Sequence, residues 1–356
     1  MTILCQKLKN SRTKKLNHRA IPNIINNQKS TLGATLPRNS RTQKSVRIIN
    51  LHTSSEESRL PGRCVATIGF FDGVHRGHRS LIAQVEAEAQ KRSASSVLLT
   101  FSNHPKSVLD SGKQPLCLTT ADEKLELMAQ TGADYAVLMP FTDELAQLSA
   151  KEFMNQILAQ KLDIQALVVG YDHRFGHNRS DTFEDYVRHG HDCGIDVVLA
   201  HSLQPDAEVQ VSSSKIRHSL LKGDLIYANN ALGYNYFLQG HIGEGHQVGR
   251  TLGFPTANLI VDDSTKLIPC GGAYAVECII DHTLSLRGML NIGNRPTLHN
   301  GSEQSIEVHL FDFNQNIYSH HLRIKFLKFI REERQFQSLD ELRLQLQEDE
   351  KACKAI

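Results

Sequence analysis

The chain has 356 residues, 40% of them hydrophobic and 22% charged, which is enough for two domains with their own cores. No stretch approaches the roughly 20 apolar residues of a membrane span, no apolar h-region follows the basic start, and the seven cysteines include no Cys-x-x-Cys pair; a membrane protein, a secreted disulfide framework and a zinc knuckle are argued against. The net charge of +2 hides a division, because residues 1–45 carry ten Lys or Arg and no Asp or Glu, leaving −8 on the remainder.

Segment 1–45 is rich in Asn, Gln, Ser and Thr without periodicity and is expected not to fold alone. It reads as a disordered extension, an organellar presequence or an arm touching nucleic acid. The expectation carried forward is a disordered extension on a cytoplasmic protein with no nucleic-acid partner and no membrane contact. Oligomeric state is not read from the sequence.

The first element beyond it is an apolar strand, Cys64 to Phe70, that runs into His75-Arg76-Gly77-His78 and then a helix carrying Leu81, Ile82, Val85 and Ala89. Free N–H groups at such a helix start face a phosphate. His75 and His78, at i and i+3 across the turn, can both donate to an anionic oxygen, which suits a pentacoordinate phosphorus. The bland alternative makes them polar turn residues, or two ligands of a metal completed elsewhere. Among eighteen histidines, the pairs His189/His191 and His320/His321 are expected by chance and read as solvated.

Further β-like runs at Val97 to Phe101, Tyr135 to Met139, Ala166 to Val169 and Val197 to Ala200 alternate with helical patterns, two of them opened by the capping boxes Thr120/Glu123 and Ser149/Glu152. This order predicts an α/β Rossmann-like domain over 46–211 with a five-stranded parallel sheet. Ligands gather at the carboxyl ends of such strands, where the His75 turn and Gly170-Tyr171-Asp172-His173-Arg174-Phe175-Gly176 both fall, so the two segments are expected to share a site.

After Ser212-Ser213-Ser214-Lys215-Ile216-Arg217, a helical linker over 212–232 leads into 233–356, which is mostly β. Strands are predicted at Tyr236 to Ile242, Ala273 to Ile280, Ser285 to Ile292, Ser305 to Phe313 and His321 to Ile330; many short strands at near-regular spacing suggest a small closed barrel. Ser338/Glu341 caps a final helix.

Within this half, Gly249-Arg250-Thr251-Leu252-Gly253-Phe254-Pro255-Thr256-Ala257-Asn258 joins flexible glycines to one arginine and to two side-chain oxygens at i and i+2. Thr256 and Asn258 in extended chain point the same way and can offer neutral oxygens to Mg²⁺, with Gly249, Arg250 and Gly253 taking phosphates. A plain glycine-rich turn is the alternative. On Ser305 to Asp312, Ile306, Val308 and Leu310 share one face and Glu307 the other. A carboxylate so placed can accept a hydroxyl proton in phosphoryl transfer, or can simply be solvated. The run Arg331-Glu332-Glu333 near Phe336 carries the same ambiguity.

Together these segments resemble the bacterial bifunctional riboflavin kinase/FAD synthetase family across roughly residues 46–350. Gly69 to His78 is similar to its adenylyltransferase signature, which brings in Gly69, Asp72 and Gly77. Gly170 to Gly176 is similar to a second segment of that domain and Ser212 to Arg217 to its second nucleotide motif. Gly249 to Asn258, Asn291 to Thr297, Glu307 to Phe313 and Arg331 to Phe336 resemble the flavokinase motifs. The resemblance implies a nucleotidyltransferase domain followed by a six-stranded flavokinase-type barrel with a C-terminal helix. It implies two reactions, riboflavin to FMN and FMN to FAD, each with ATP as co-substrate. In the barrel, it implies Mg²⁺ on Thr256 and Asn258, Glu307 as acceptor of the riboflavin 5′-hydroxyl proton, and flavin contacts from Asn291, Arg295, Arg331 and Glu333. In the first domain, it implies that an FMN phosphate oxygen attacks the α-phosphorus of ATP while His75, His78, Ser213, Ser214 and Arg217 stabilise charge and departing pyrophosphate. Phe70, His173 and Ser319 depart from the family's usual Asn, Phe and Gly. The alternative, a single-activity nucleotidyltransferase whose barrel only binds flavin, requires loss of Thr256, Asn258 and Glu307, and all three are present.

Overall fold

A computed structural model describes residues 46–51, 60–110, 115–170, 173–177, 179–201, 211–243, 249, 252–296 and 302–356. The basic segment 1–45 and the expectations placed on Tyr171, Asp172, Arg250, Thr251 and Thr297 lie outside the described residues, as does the side chain of Arg295.

The first half is a parallel sheet of β1 (Arg47–Asn50), β2 (Cys64–Ile68), β3 (Ser95–Phe101), β4 (Tyr135–Met139), β5 (Ile164–Val169) and β6 (Asp196–Leu199), in the spatial order β1-β4-β3-β2-β5-β6. The inner strands are near-continuous apolar runs because helices cover both faces, as parallel sheets require. The sheet therefore has six strands rather than the predicted five. Strand β1 escapes a pattern search because it has four residues, of which only Ile49 is buried; it is recognised through its parallel pairing with β4.

Helices α1 (Arg76–Lys91), α2 (Pro105–Leu109), α3 (Ala121–Ala129), α4 (Asp143–Gln147), α5 (Ala150–Phe153) and α6 (Phe183–Cys193) connect these strands, with α5 running on as a π-helix over Met154–Lys161. Both predicted capping boxes form, and Thr182/Asp185 makes a third at the start of α6. Because β3 lies on one side of β2 and β5 on the other, the chain reverses its direction of travel at β2. A crevice opens at the carboxyl end of the strand where that happens.

Helices α7 (Ser213–Leu221) and α8 (Leu225–Leu232) form the linker. The second half is a closed antiparallel barrel of β7 (Phe237–Gly243), β8 (Ala257–Ile260), β9 (Gly272–Ile280), β10 (Leu284–Pro296), β11 (Ser302–Leu310) and β12 (His321–Glu332), ordered β10-β11-β8-β7-β12-β9. Strand β8 is the short one that no alternation announced; it comes from the glycine-rich segment and closes the barrel between β7 and β11. The interior is filled by alternate residues such as Val276, Cys278, Leu290, Ile292, Ile306, Val308 and Phe326. Helix α9 (Leu339–Lys354) lays Cys353 on the outward Ala275 and Met289. Ser319 adopts φ +65°, the left-handed region that favours glycine.

The two halves exchange side chains. Leu118 of the sheet half is part of the barrel's apolar cluster, and Phe237 of the barrel is part of a cluster built on Val74, Leu98 and Met128. A one-pair parallel bridge joins Cys117 to Lys266. Lys266, fully buried, donates to Glu123 Oε2 at 2.6 Å and to the Leu118 carbonyl at 2.7 Å, and Arg323 forms a two-pronged pair with Glu126. Among the described residues, no helix is long and apolar enough to cross a membrane.

Candidate active sites

At the carboxyl ends of β2, β3, β5 and β6 lies a cavity of about 710 Å³. Its lining includes Gly69, Asp72, His75, Gly77, His78, Ser213, Ser214 and Arg217, all eight of the residues predicted for the first site, together with Gly170, His173 and Arg174. The His75 turn and the Gly170 segment therefore share one space.

The local chain explains the placement. After β2, a single 3₁₀ turn over Asp72–Val74 leads to His75, which caps α1: its Nδ1 accepts from the His78 N–H at 3.3 Å. An imidazole nitrogen that accepts carries no proton, so in the neutral His75 ring the proton sits on Nε2 as a donor. The rings of His75 and His78 stack at 3.6 Å between centroids, 15° apart. His78 Nδ1 is buried with no protein partner. Burial, and then the neighbouring His75, hold the His78 imidazole well below the ordinary histidine range, so it stands neutral. Among the described residues, no cluster of three or more His, Cys, Asp or Glu has the geometry of a metal site.

From the other side, α7 is capped by Ser212, which accepts from the Lys215 N–H. Ser213 Oγ donates to the Asp72 carbonyl at 3.0 Å. Arg217 donates to Asp72 Oδ2 at 2.6 Å and to Ser214 Oγ at 3.3 Å. Asp72 Oδ1 accepts from the N–H groups of Leu118 at 2.8 Å and Thr119 at 3.1 Å. Burial pushes the Asp72 carboxyl up from its ordinary value, and these donors oppose the shift. The Asp72 carboxylate thus faces protein donors, and what it presents to the cavity is an oriented Arg217.

Several cavity residues were not predicted as site residues: His104, Arg179 and His201 line the same space. His104 repeats the device of His75, a histidine after a strand that caps the next helix, here by accepting from the Lys106 N–H at 3.0 Å. The Asn103-His104-Pro105 sequence carried that signal, since proline at the first helical position marks a helix start. Burial, and then Arg217, push His104 down to about 4. Phe70 meets His104 edge-on at 4.5 Å and takes the Lys124 ammonium over its face at 4.1 Å. Lys124, donating to the Phe101 carbonyl at 2.7 Å, is pushed down to about 8 by burial.

The second group assembles on the barrel. Asn291, Glu307 and Asn258 are direct cross-strand neighbours on β10, β11 and β8, and their flanking residues Ile292, Val308 and Leu259 point inward. The three polar side chains therefore form one row on the outer face. Thr256 Oγ1 donates to Glu307 Oε2 at 3.4 Å, which brings the fourth predicted residue to the row. The glycines beside it shape the turn: the Gly249 carbonyl accepts from the N–H groups of Leu252 and Phe254, a Cβ on Gly249 would stand 2.3 Å from the Phe254 carbonyl oxygen, and Gly253 has φ +86°.

The Glu333 carboxylate lies over Gly293 on the same strand as Asn291. Arg331 is drawn elsewhere, donating to both oxygens of Asp349 on α9 at 2.7 to 3.1 Å. A cavity of about 480 Å³ adjoins the row, lined by Thr256, Ile242, Val308, Phe313 and Tyr318 among others. The His320/His321 pair is not simply solvated: His321 is half-buried, stacks on His282 at 5.0 Å and is held below its ordinary value by burial, while His320 pairs with Asp281. His189 is half-buried as well, its side chain 15% exposed.

Residues 57–215 match the family model described as FAD synthetase and residues 232–356 the one described as riboflavin kinase. The chain is 37% identical over 287 residues to the bifunctional riboflavin kinase/FMN adenylyltransferase of Escherichia coli, spanning 81% of this chain and 90% of that protein. Against the Bacillus subtilis protein of the same description, it is 33% identical over 312 residues, spanning 86% and 96%. A solved structure described as a macrolide-efflux protein from Streptococcus pneumoniae superimposes with a TM-score of 0.77 at 29% identity, over 87% of this chain and 99% of the other.

Proposed function

The chain belongs to the bifunctional riboflavin kinase/FMN adenylyltransferase family, and on that premise we propose how its residues divide the two reactions. The enzyme phosphorylates riboflavin to FMN and adenylylates FMN to FAD.

Adenylyl transfer is assigned to the cavity of about 710 Å³. An FMN phosphate oxygen attacks the α-phosphorus of ATP, and the bond to the bridging oxygen breaks as pyrophosphate leaves. The nucleophile is already ionised, so the site needs donors rather than a base, and donors are what it holds. His75 offers Nε2–H, the His78 imidazole lines the cavity stacked on it, and Arg217 and the N–H groups at the starts of α1 and α7 face the phosphates. Asp72 serves by orienting Arg217.

Phosphorylation is assigned to the row on the barrel. Glu307 takes the proton of the riboflavin 5′-hydroxyl as that oxygen attacks the γ-phosphorus and ADP leaves. Thr256 and Asn258 offer neutral oxygens beside a carboxylate, a donor set that fits Mg²⁺. When bound, the ion would supply positive charge against the ATP phosphates. Asn291 and Glu333 are assigned to the flavin, with ATP in the cavity that Thr256 lines. Arg331, paired with Asp349, is assigned to holding α9 against the barrel. A cytoplasmic setting, where ATP is supplied, suits both reactions.

The observation that carries this reading is the meeting of the 69–78 and 213–217 segments around one cavity. Its test is a time course of the purified protein with riboflavin, ATP and Mg²⁺, separating the flavins by chromatography. FMN is expected to appear and then give way to FAD. FMN that accumulates without FAD would overturn the adenylyl assignment, and riboflavin left untouched would overturn the kinase assignment.

A further inference from the structure

The barrel half reaches into the turn that builds the adenylyl site. Tyr234, two residues beyond α8, donates from its hydroxyl to the Gly73 carbonyl at 2.7 Å. Gly73 is the middle residue of the Asp72–Val74 turn that delivers His75 to the cavity. The Tyr234 ring packs against the apolar clusters of both halves.

That turn is held in an unfavourable backbone conformation. Phe71 and the β-branched Val74 have φ +54° and +38°, and Gly73 has φ +79°. Non-glycine residues in this region persist only where the surroundings over-determine them. Within the β2–α1 unit the Val74 N–H donates to the Phe71 carbonyl at 3.0 Å and Arg79 Nε to the Val74 carbonyl at 3.2 Å, and further restraints come from outside it. Leu118 and Leu232 close on Gly73 so tightly that a Cβ would stand 2.9 and 3.1 Å from them, Thr119 Oγ1 accepts from the Gly73 N–H at 3.1 Å, and Ser213 donates to the Asp72 carbonyl. Tyr234 supplies the donor for the turn's central carbonyl, and its side chain lines neither cavity.

We propose that Tyr234 is a positioning residue for adenylyl transfer, holding the strained Asp72–Val74 turn so that His75 and His78 meet the reacting phosphates. The inference rests on the assignment of the larger cavity as the adenylyl site. It makes the kinase half a working part of the other active site, acting through one hydroxyl.

Tyr234→Phe removes that hydroxyl and keeps the ring. In the full chain, kcat and KM are measured for FAD formation from FMN and ATP and for FMN formation from riboflavin, together with the melting temperature. For FAD formation, kcat is expected to fall about tenfold with KM for ATP within about twofold, because a small displacement of catalytic groups acts on the chemical step. FMN formation is expected to be unchanged. Wild-type FAD formation in Tyr234→Phe would overturn the proposal, and so would a parallel fall of both activities with a lowered melting temperature, which marks a merely structural role. His78→Ala, run alongside, separates the levels. If FAD formation survives His78→Ala, the site assignment fails; if His78→Ala abolishes it and Tyr234→Phe does not touch it, only the role of Tyr234 fails.

Discussion

Arg217 and Asp72 are 145 residues apart in the chain, and their charged atoms are 2.6 Å apart in the fold. The contact joins the middle of α7 to the turn after β2, so the cavity exists as a site only when both segments are in place. With the second carboxylate oxygen held by Leu118 and Thr119, the guanidinium has one orientation. Asp72→Asn keeps the shape and removes the charge. A charge-assisted bond of this kind contributes about 1.5 to 3 kcal/mol, so KM for ATP in FAD formation is expected to rise by about tenfold or more while riboflavin phosphorylation is unchanged. Steady-state kinetics of the two reactions check this, and an unaltered KM would mean that Arg217 does not hold nucleotide.

The two active sites are expected to fail separately. Glu307→Gln should lower FMN formation by about 10² or more, the usual contribution of a positioned base, and leave adenylylation of supplied FMN intact. His78→Ala should lower FAD formation by about 10², the scale for one lost donor to a transition-state oxyanion, and leave FMN formation intact. Chromatography of both variants with either flavin decides it; loss of both activities from either change in a folded protein would sink the two-site assignment.

Lys124 gives a prediction with a definite sign. Its folded-state value of about 8 lies below its ordinary 10.5 because burial disfavours the charge. Between these values, the unfolded chain holds a proton that the folded chain has released, so stability attributable to Lys124 rises with pH across the window and is lowest below pH 8. The stability of wild type relative to Lys124→Met is therefore expected to grow from pH 7.5 to 10, by about 3 kcal/mol at most. Urea unfolding of both proteins at several pH values tests this, and a constant difference would show that Lys124 is not shifted.

Ser319 sits at φ +65°, a conformation that costs a non-glycine residue roughly 1 to 2 kcal/mol. Glycine gives back part of that through its freer unfolded chain. Ser319→Gly is expected to stabilise the protein by about 0.5 to 1 kcal/mol, seen as a small rise in melting temperature. A fall would mean that the serine side chain makes a contact worth more than the strain.

The sequence announced those features that local pattern controls. Apolar runs and capping boxes located the inner strands and the helix starts, and the strand-turn-helix context singled out His75 and His78. Strands β1 and β8 were illegible because polar residues interrupt their short apolar runs and each buries a single residue; their partners β4, β7 and β11 make them strands. The roles of charged residues were hidden for a related reason. Asp72 and Arg331 both stood in motifs, yet Asp72 is bound by Leu118, Thr119 and Arg217, and Arg331 by Asp349 on a helix that follows later. Tyr234 and Lys266 carried no signal, since what they hold lies in the other half of the chain.

The exchange of Leu118 and Phe237 between the apolar clusters bears on how the protein comes apart. Each half completes its interior with a side chain owned by the other, so separating them would open a hole in both and expose the Lys266–Glu123 pair to water. Loosening one half takes a wall from its neighbour. Heated in a calorimeter, a chain carrying two catalysts should melt as one body, in a single endotherm whose van't Hoff and calorimetric enthalpies agree.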